Sequence, residues 1–205
     1  MAGDWREAGL GEVIPVALKP EPAEFRTKVA RRGAAWLSKE QPAPPVKSSL
    51  WKNHEHWRDG LDLLAEAYEN VCAYSARFID PMTGARTVDH VQPKSLYPFE
   101  AYSWSNLRLA CLKMNRRKDD FEDVIDPCTL TQDIFTLNFL TFEISIRRDC
   151  PPPLLERANA TINRLQLNEG KMRQARANDY RDYSRAQLRV KSPFVYQCAR
   201  EQGLL

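Results

Sequence analysis

A chain of 205 residues with 43% hydrophobic and 28% charged residues has the balance of a soluble globular protein rather than a disordered one. No apolar run nears the roughly 20 residues a membrane helix needs. The opening Met-Ala-Gly-Asp-Trp-Arg-Glu has no apolar signal core, so a cytoplasmic chain with no membrane contact is expected. The net charge of +3 is only mildly basic, so a nucleic-acid role would depend on charge placement rather than charge total. Five cysteines (Cys72, Cys111, Cys128, Cys150 and Cys198), odd in number and widely spread, suggest free thiols or metal ligands rather than a disulfide framework.

Composition divides the chain into three regions. Residues 1–50 form a Pro-rich arm, broken by Pro15, Pro20, Pro22, Pro42, Pro44 and Pro45, with one short basic helix expected from Glu24 to Leu37. That helix carries Phe25, Val29 and Trp36, which suit packing on a core, and Arg26, Lys28, Arg31 and Arg32, which suit phosphate contact. Residues 51–127 read as the core module. The pattern predicts a helix from Trp51 to Val71, then strands at Cys72–Ile79 and Arg86–Val91 joined through the turn-rich Asp80-Pro81-Met82-Thr83-Gly84. A loop with Pro93 and Pro98 and a helix from Ser105 to Asn115 follow. Residues 128–205 read as largely helical. A strand is expected through Phe135, Leu137, Phe139 and Phe142, before the Cys150-Pro151-Pro152-Pro153 break, then helices over Leu154–Leu165 and the Arg-rich Asn168–Leu188.

The chemically informative residues are Asp89-His90, Asn106 and Asn115. Hydrolysing a phosphodiester requires a deprotonated water, charge stabilisation at phosphorus and neutralisation of the leaving oxygen. A histidine, with an ordinary pKa of about 6.5, can accept the proton near neutral pH. A divalent cation held by hard oxygens can meet the other two needs. Adjacent residues on a strand point to opposite faces, so Asp89 and His90 can share one site only where the strand ends or bends, and Pro93 makes such an end plausible. A helix between Asn106 and Asn115 would bring Asn115 back towards Asp89 as a second oxygen ligand. Asn106, at that helix's start, would either cap it or pin the loop that orients His90. Lys94, Arg108, Arg116, Arg117 and Lys118 surround this set and are expected to meet a nucleic-acid backbone. His54 and His56, two residues apart, do not share a helix face and are read as surface or packing residues.

Asp89-His90, then Ser-Asn-Leu-Arg-Leu-Ala-Cys and Asn-x-x-Lys, resembles the HNH endonucleases of the ββα-metal fold over residues 72–119. The resemblance implies an α+β, mostly helical chain with a ββα-metal core flanked by N-terminal and C-terminal helices. It implies His90 as general base, Asp89 and Asn115 as ligands of one Mg²⁺ or Mn²⁺, and Asn106 as the residue holding the loop. Flanking segments look like bacterial HNH proteins of phage-defence operons, in Septu-like systems or beside retrons. That implies DNA as substrate, and an operon partner such as an ATPase. The alternatives are a partner-regulated nucleic-acid-binding subunit with latent nuclease, or cleavage of RNA or tRNA. Many HNH proteins bind a structural zinc through two Cys-x-x-Cys pairs. Here those positions are Cys72 with Ser75 and Cys111 with Met114, so the zinc is expected to be lost and the two cysteines to be buried core thiols.

Overall fold

The structure, a computed structural model, describes residues 17–205. The start of the Pro-rich arm, with Pro15, lies outside the described residues. Among the described residues the architecture is α+β, with helices predominating over two small antiparallel sheets. None of the described helices is long and apolar enough to cross a membrane.

The arm helix runs as α1 (Ala23–Phe25), a π-helical turn (Arg26–Ala30) and α2 (Arg31–Glu40). Phe25, Val29 and Leu37 are buried in the main core, which fulfils the packing role of this amphipathic segment. Gly33 marks its closest approach: a Cβ there would lie 2.1 Å from the Tyr102 ring. The expected long helix over Trp51–Val71 is instead short 3₁₀ turns (Ser48–Trp51 and His56–Gly60) followed by α3 (Leu61–Ala67). The chain turns between them at Asn53, whose φ of 69° lies in the left-handed region.

Two further expectations are corrected in the core module. The span Cys72–Ile79 makes only a single bridge, Val71 to Phe78, because the chain reverses tightly through Ala76 with φ 48°. The Asp80 turn does form, its carboxylate accepting from the Met82 and Thr83 amides at 2.8 and 3.1 Å. The strand that pairs with β1 (Arg86–His90) is β2 (Leu107–Cys111), a segment read from sequence as helix. Leu107 and Leu109 are both fully buried, and antiparallel pairing with β1 prevails over the helix propensity of Leu-Arg-Leu-Ala. The register sets Asp89 opposite Arg108 and His90 opposite Leu107. Helix α4 (Leu112–Lys118) follows directly and packs on both strands, so Asn115 arrives on a helix after β2 rather than at the end of one before it.

The main core draws together all three compositional regions, from Phe25 and Val29 through Leu64, Leu107 and Met114 to Leu165, Leu167 and Met172. In the C-terminal region β3 (Phe135–Leu137) pairs with β4 (Ile144–Ile146), and α5 (Pro152–Arg164) begins on its prolines. The Arg-rich stretch divides into α6 (Gly170–Asp182) and α7 (Arg185–Lys191), where Ser184 and Gln187 form a capping box that starts a new helix. Helix α8 (Pro193–Glu201) closes the fold. Arg176, in α6, points inward and donates to the carbonyls of Phe142 and Leu167, so that helix is held from within by one of its own cations.

Candidate active site

The β1–β2 ribbon and α4 bring Asp89, His90 and Asn115 to one cleft of about 520 Å³, whose walls also include Trp57, Lys94 and Arg116. Each side chain is fixed by a separate contact. His90, at the end of β1, is only 7% exposed and lies edge-to-face with Trp57, ring centroids 5.0 Å apart. Its Nε2 lies 3.0 Å from the Ala101 carbonyl oxygen. A carbonyl can only accept, so this contact puts the proton on Nε2 and leaves the lone pair of the neutral ring on Nδ1. Burial, reinforced by the Lys94 charge, pushes the His90 imidazole down to about 3 and keeps it neutral.

That depression makes stability depend on pH. The folded state holds fewer protons at His90 than the unfolded chain does, so its contribution is complete above about pH 6.5. It is lost as pH falls towards 3. Thermal melts should show the wild type losing stability more steeply than His90→Gln between pH 7 and 5. Parallel slopes would mean that His90 is not held neutral.

Asp89 is 4% exposed, and its Oδ2 accepts from the Tyr74 hydroxyl at 2.5 Å. The Lys118 ammonium lies 3.9 Å from the same oxygen and donates to the His90 carbonyl at 2.5 Å. Burial pushes the Asp89 carboxyl up to about 6, against the pull of Lys118 and Tyr74. The Asn115 amide nitrogen donates to Thr87 Oγ1 at 2.9 Å and to the Val88 carbonyl at 3.0 Å. Those two bonds commit its nitrogen and leave Oδ1 as the acceptor end.

Asn106 closes the loop between the strands. Its Oδ1 accepts from the Gln92 amide at 2.7 Å, and its Nδ2 donates to the Gln92 and Glu100 carbonyls at 3.1 Å each. Of the two roles open in the sequence, cap or pin, the structure gives Asn106 the pin. It ties residue 92, two past His90, to residue 100, one before the carbonyl that holds the His90 ring.

The five cations expected to meet phosphate separate into three groups. Lys94 and Arg116 line the cleft. Arg117 donates to the Leu165 carbonyl and pairs with Glu169 at 2.5 Å. Arg108 and Lys118 are corrected: they are 3% and 1% exposed, and both are bonded inside the protein, Arg108 to Asp126 and Lys118 to the His90 carbonyl. Burial forces such partnerships, because an unpaired interior charge is prohibitively costly. Trp57, Tyr74 and the Ala101 carbonyl escaped the sequence reading. Tyr74 and Trp57 lie in segments that looked purely structural, and a backbone carbonyl has no sequence signature.

The donor set suits a hard divalent cation. Asp89 offers a carboxylate and Asn115 an amide oxygen, and the cleft has room for a phosphate and waters to complete the coordination that Mg²⁺ prefers. Among the described residues no three His, Cys, Asp or Glu side chains gather as a metal cluster, so a cation here would take most of its ligands from water and substrate. Among the described residues, cations and carboxylates on the cleft walls are equal in number. Arg58, Arg86, Lys94 and Arg116 face Glu55, Asp89, Asp119 and Asp120, so the protein's own charge there is close to neutral. Compared with known proteins, the sequence matches no family model and no curated protein.

Proposed function

We propose that this chain is a divalent-metal-dependent endonuclease with an HNH-type site, hydrolysing DNA phosphodiester bonds. The observation that carries the reading is the meeting in one cleft of a histidine, held at Nε2 by a backbone carbonyl, with two hard oxygen donors on a strand–strand–helix unit. His90 accepts the proton of the attacking water at Nδ1 while the Ala101 carbonyl holds the opposite edge of the ring. A phosphodiester entering the cleft brings negative charge that favours the imidazolium and engages Lys94, one of the charges that depress it. Asp89 and Asn115 would hold Mg²⁺ or Mn²⁺, which when bound neutralises charge on the phosphate and the leaving oxygen. Asn106 keeps the loop in place, and Arg116 with Lys94 positions the backbone.

Incubating the purified chain with plasmid, single-stranded DNA and RNA, in Mg²⁺ or Mn²⁺ and then in EDTA, tests this. Nicking of plasmid that needs the metal is expected. Asn115→Ala should need about 10-fold or more metal for the same rate. A metal titration superimposable on the wild type would remove Asn115 from the ligand set. Cleavage of RNA alone would change the substrate, and cleavage seen only with a second protein added would make the nuclease partner-regulated.

A further inference from the structure

All five cysteines are free, but they are not equivalent. Cys198 belongs to the cluster of Leu137, Leu188 and Val195, Cys150 packs against that of Ile125 and Ile134, and Cys128 sits in a 3₁₀ turn after Asp126. Cys72 and Cys111 are brought together by the fold. The Ala73 amide donates to the Leu109 carbonyl at 2.9 Å, laying the Cys72 segment along β2. Two residues further along, the Cys111 amide donates to the Cys72 sulfur at 3.4 Å. That contact sets the Cys72 sulfur directly against Cys111. Cys72 is buried, whereas Cys111 is part-exposed and lines an open cleft of about 740 Å³ together with Ser75 and Lys113, giving a small oxidant access from solvent.

We infer that Cys72 and Cys111 are a redox-modifiable thiol pair that closes to an intramolecular disulfide on exposure to a hydroperoxide and reopens with a dithiol reductant. In the first step one thiolate attacks the peroxide O–O bond, giving a sulfenic acid and releasing water once a proton is taken up. The other thiolate then attacks that sulfur, forming S–S and expelling hydroxide, which leaves as a second water. The two thiols lose two electrons and two protons, and the peroxide gains both. The surroundings of Cys72 favour its thiolate: burial alone would raise the thiol, yet hydrogen bonding with Cys111 and Ser75 holds it below the ordinary thiol range. Cys111 is pushed up because its proton is held against Cys72. The closed loop would enclose β1 and the strand-to-strand loop and end at the residue preceding α4. This inference does not depend on the nuclease reading.

The experiment treats the reduced, full-length protein with graded hydrogen peroxide, then alkylates it and maps peptides without reduction. A Cys72–Cys111 cross-link is expected, with free thiols falling from five to three, an intact mass lower by about 2 Da, and recovery with dithiothreitol. Cys111→Ser should abolish the cross-link, while Cys128→Ser should leave it intact. If wild-type Cys111 proceeds to sulfinic acid while Cys72 remains alkylatable, or if the cross-link joins other cysteines, the inference is overturned. Wild-type mapping decides the matter even if a serine variant folds poorly.

Discussion

His90→Ala should abolish metal-dependent cleavage, lowering the rate by at least the roughly 10²–10⁴-fold attributed to a positioned general base. The loss should be specific to the chemistry. The side chain touches Trp57 and the Ala101 carbonyl, so truncation leaves that acceptor unpaired at a cost of about 1–3 kcal/mol, which a folded domain can survive. Circular dichroism and a denaturant melt should therefore show a folded variant that binds DNA but does not cut it. His90→Gln should be equally inactive. Cleavage persisting in either folded variant would mean that another group activates the water.

Arg108→Met should destabilise the fold by about 3–5 kcal/mol, the largest structural effect expected of any cation near the site. The guanidinium grips Asp126 through two bonds, at 2.9 and 2.6 Å, with both side chains buried. Removing it strands a carboxylate in the interior, and Asp126 also anchors the following 3₁₀ turn through the Cys128 amide. The double variant Arg108→Met with Asp126→Leu removes both charges and should recover much of the loss, less the turn contact. Urea unfolding of the wild type, the single and the double variant measures this. A single variant within about 1 kcal/mol of wild type would imply an exposed Arg108, contrary to the burial of the pair.

The residues of the candidate site could be read in the sequence because they are few, polar and set at a spacing that resembles a known motif. Asp89, His90 and Asn115 do line one cleft, and Asn106 does hold the loop. Their route there was not legible. Leu107–Cys111 alternates and is apolar, a pattern that fits a buried strand or a helix turn equally well, and only the partner strand decides between them. The same blindness to distant partners misplaced Arg108 and Lys118 on the surface. Nothing local to them announces that Asp126, or Asp89 and the His90 carbonyl, lie within reach. Tyr74 was missed for the same reason, since its acidic partner lies 15 residues away in the sequence. The arm was legible in its apolar positions, while its glycine contact at Tyr102 required three-dimensional placement.

The central claim, that Asp89 and Asn115 hold a cation beside His90, is tested most directly by anomalous diffraction from crystals soaked in Mn²⁺. One peak is expected in the cleft, within coordination distance of an Asp89 carboxylate oxygen and Asn115 Oδ1 and absent from Asp89→Ala crystals. A peak coordinated elsewhere, or a cleft peak that persists in Asp89→Ala, would contradict it.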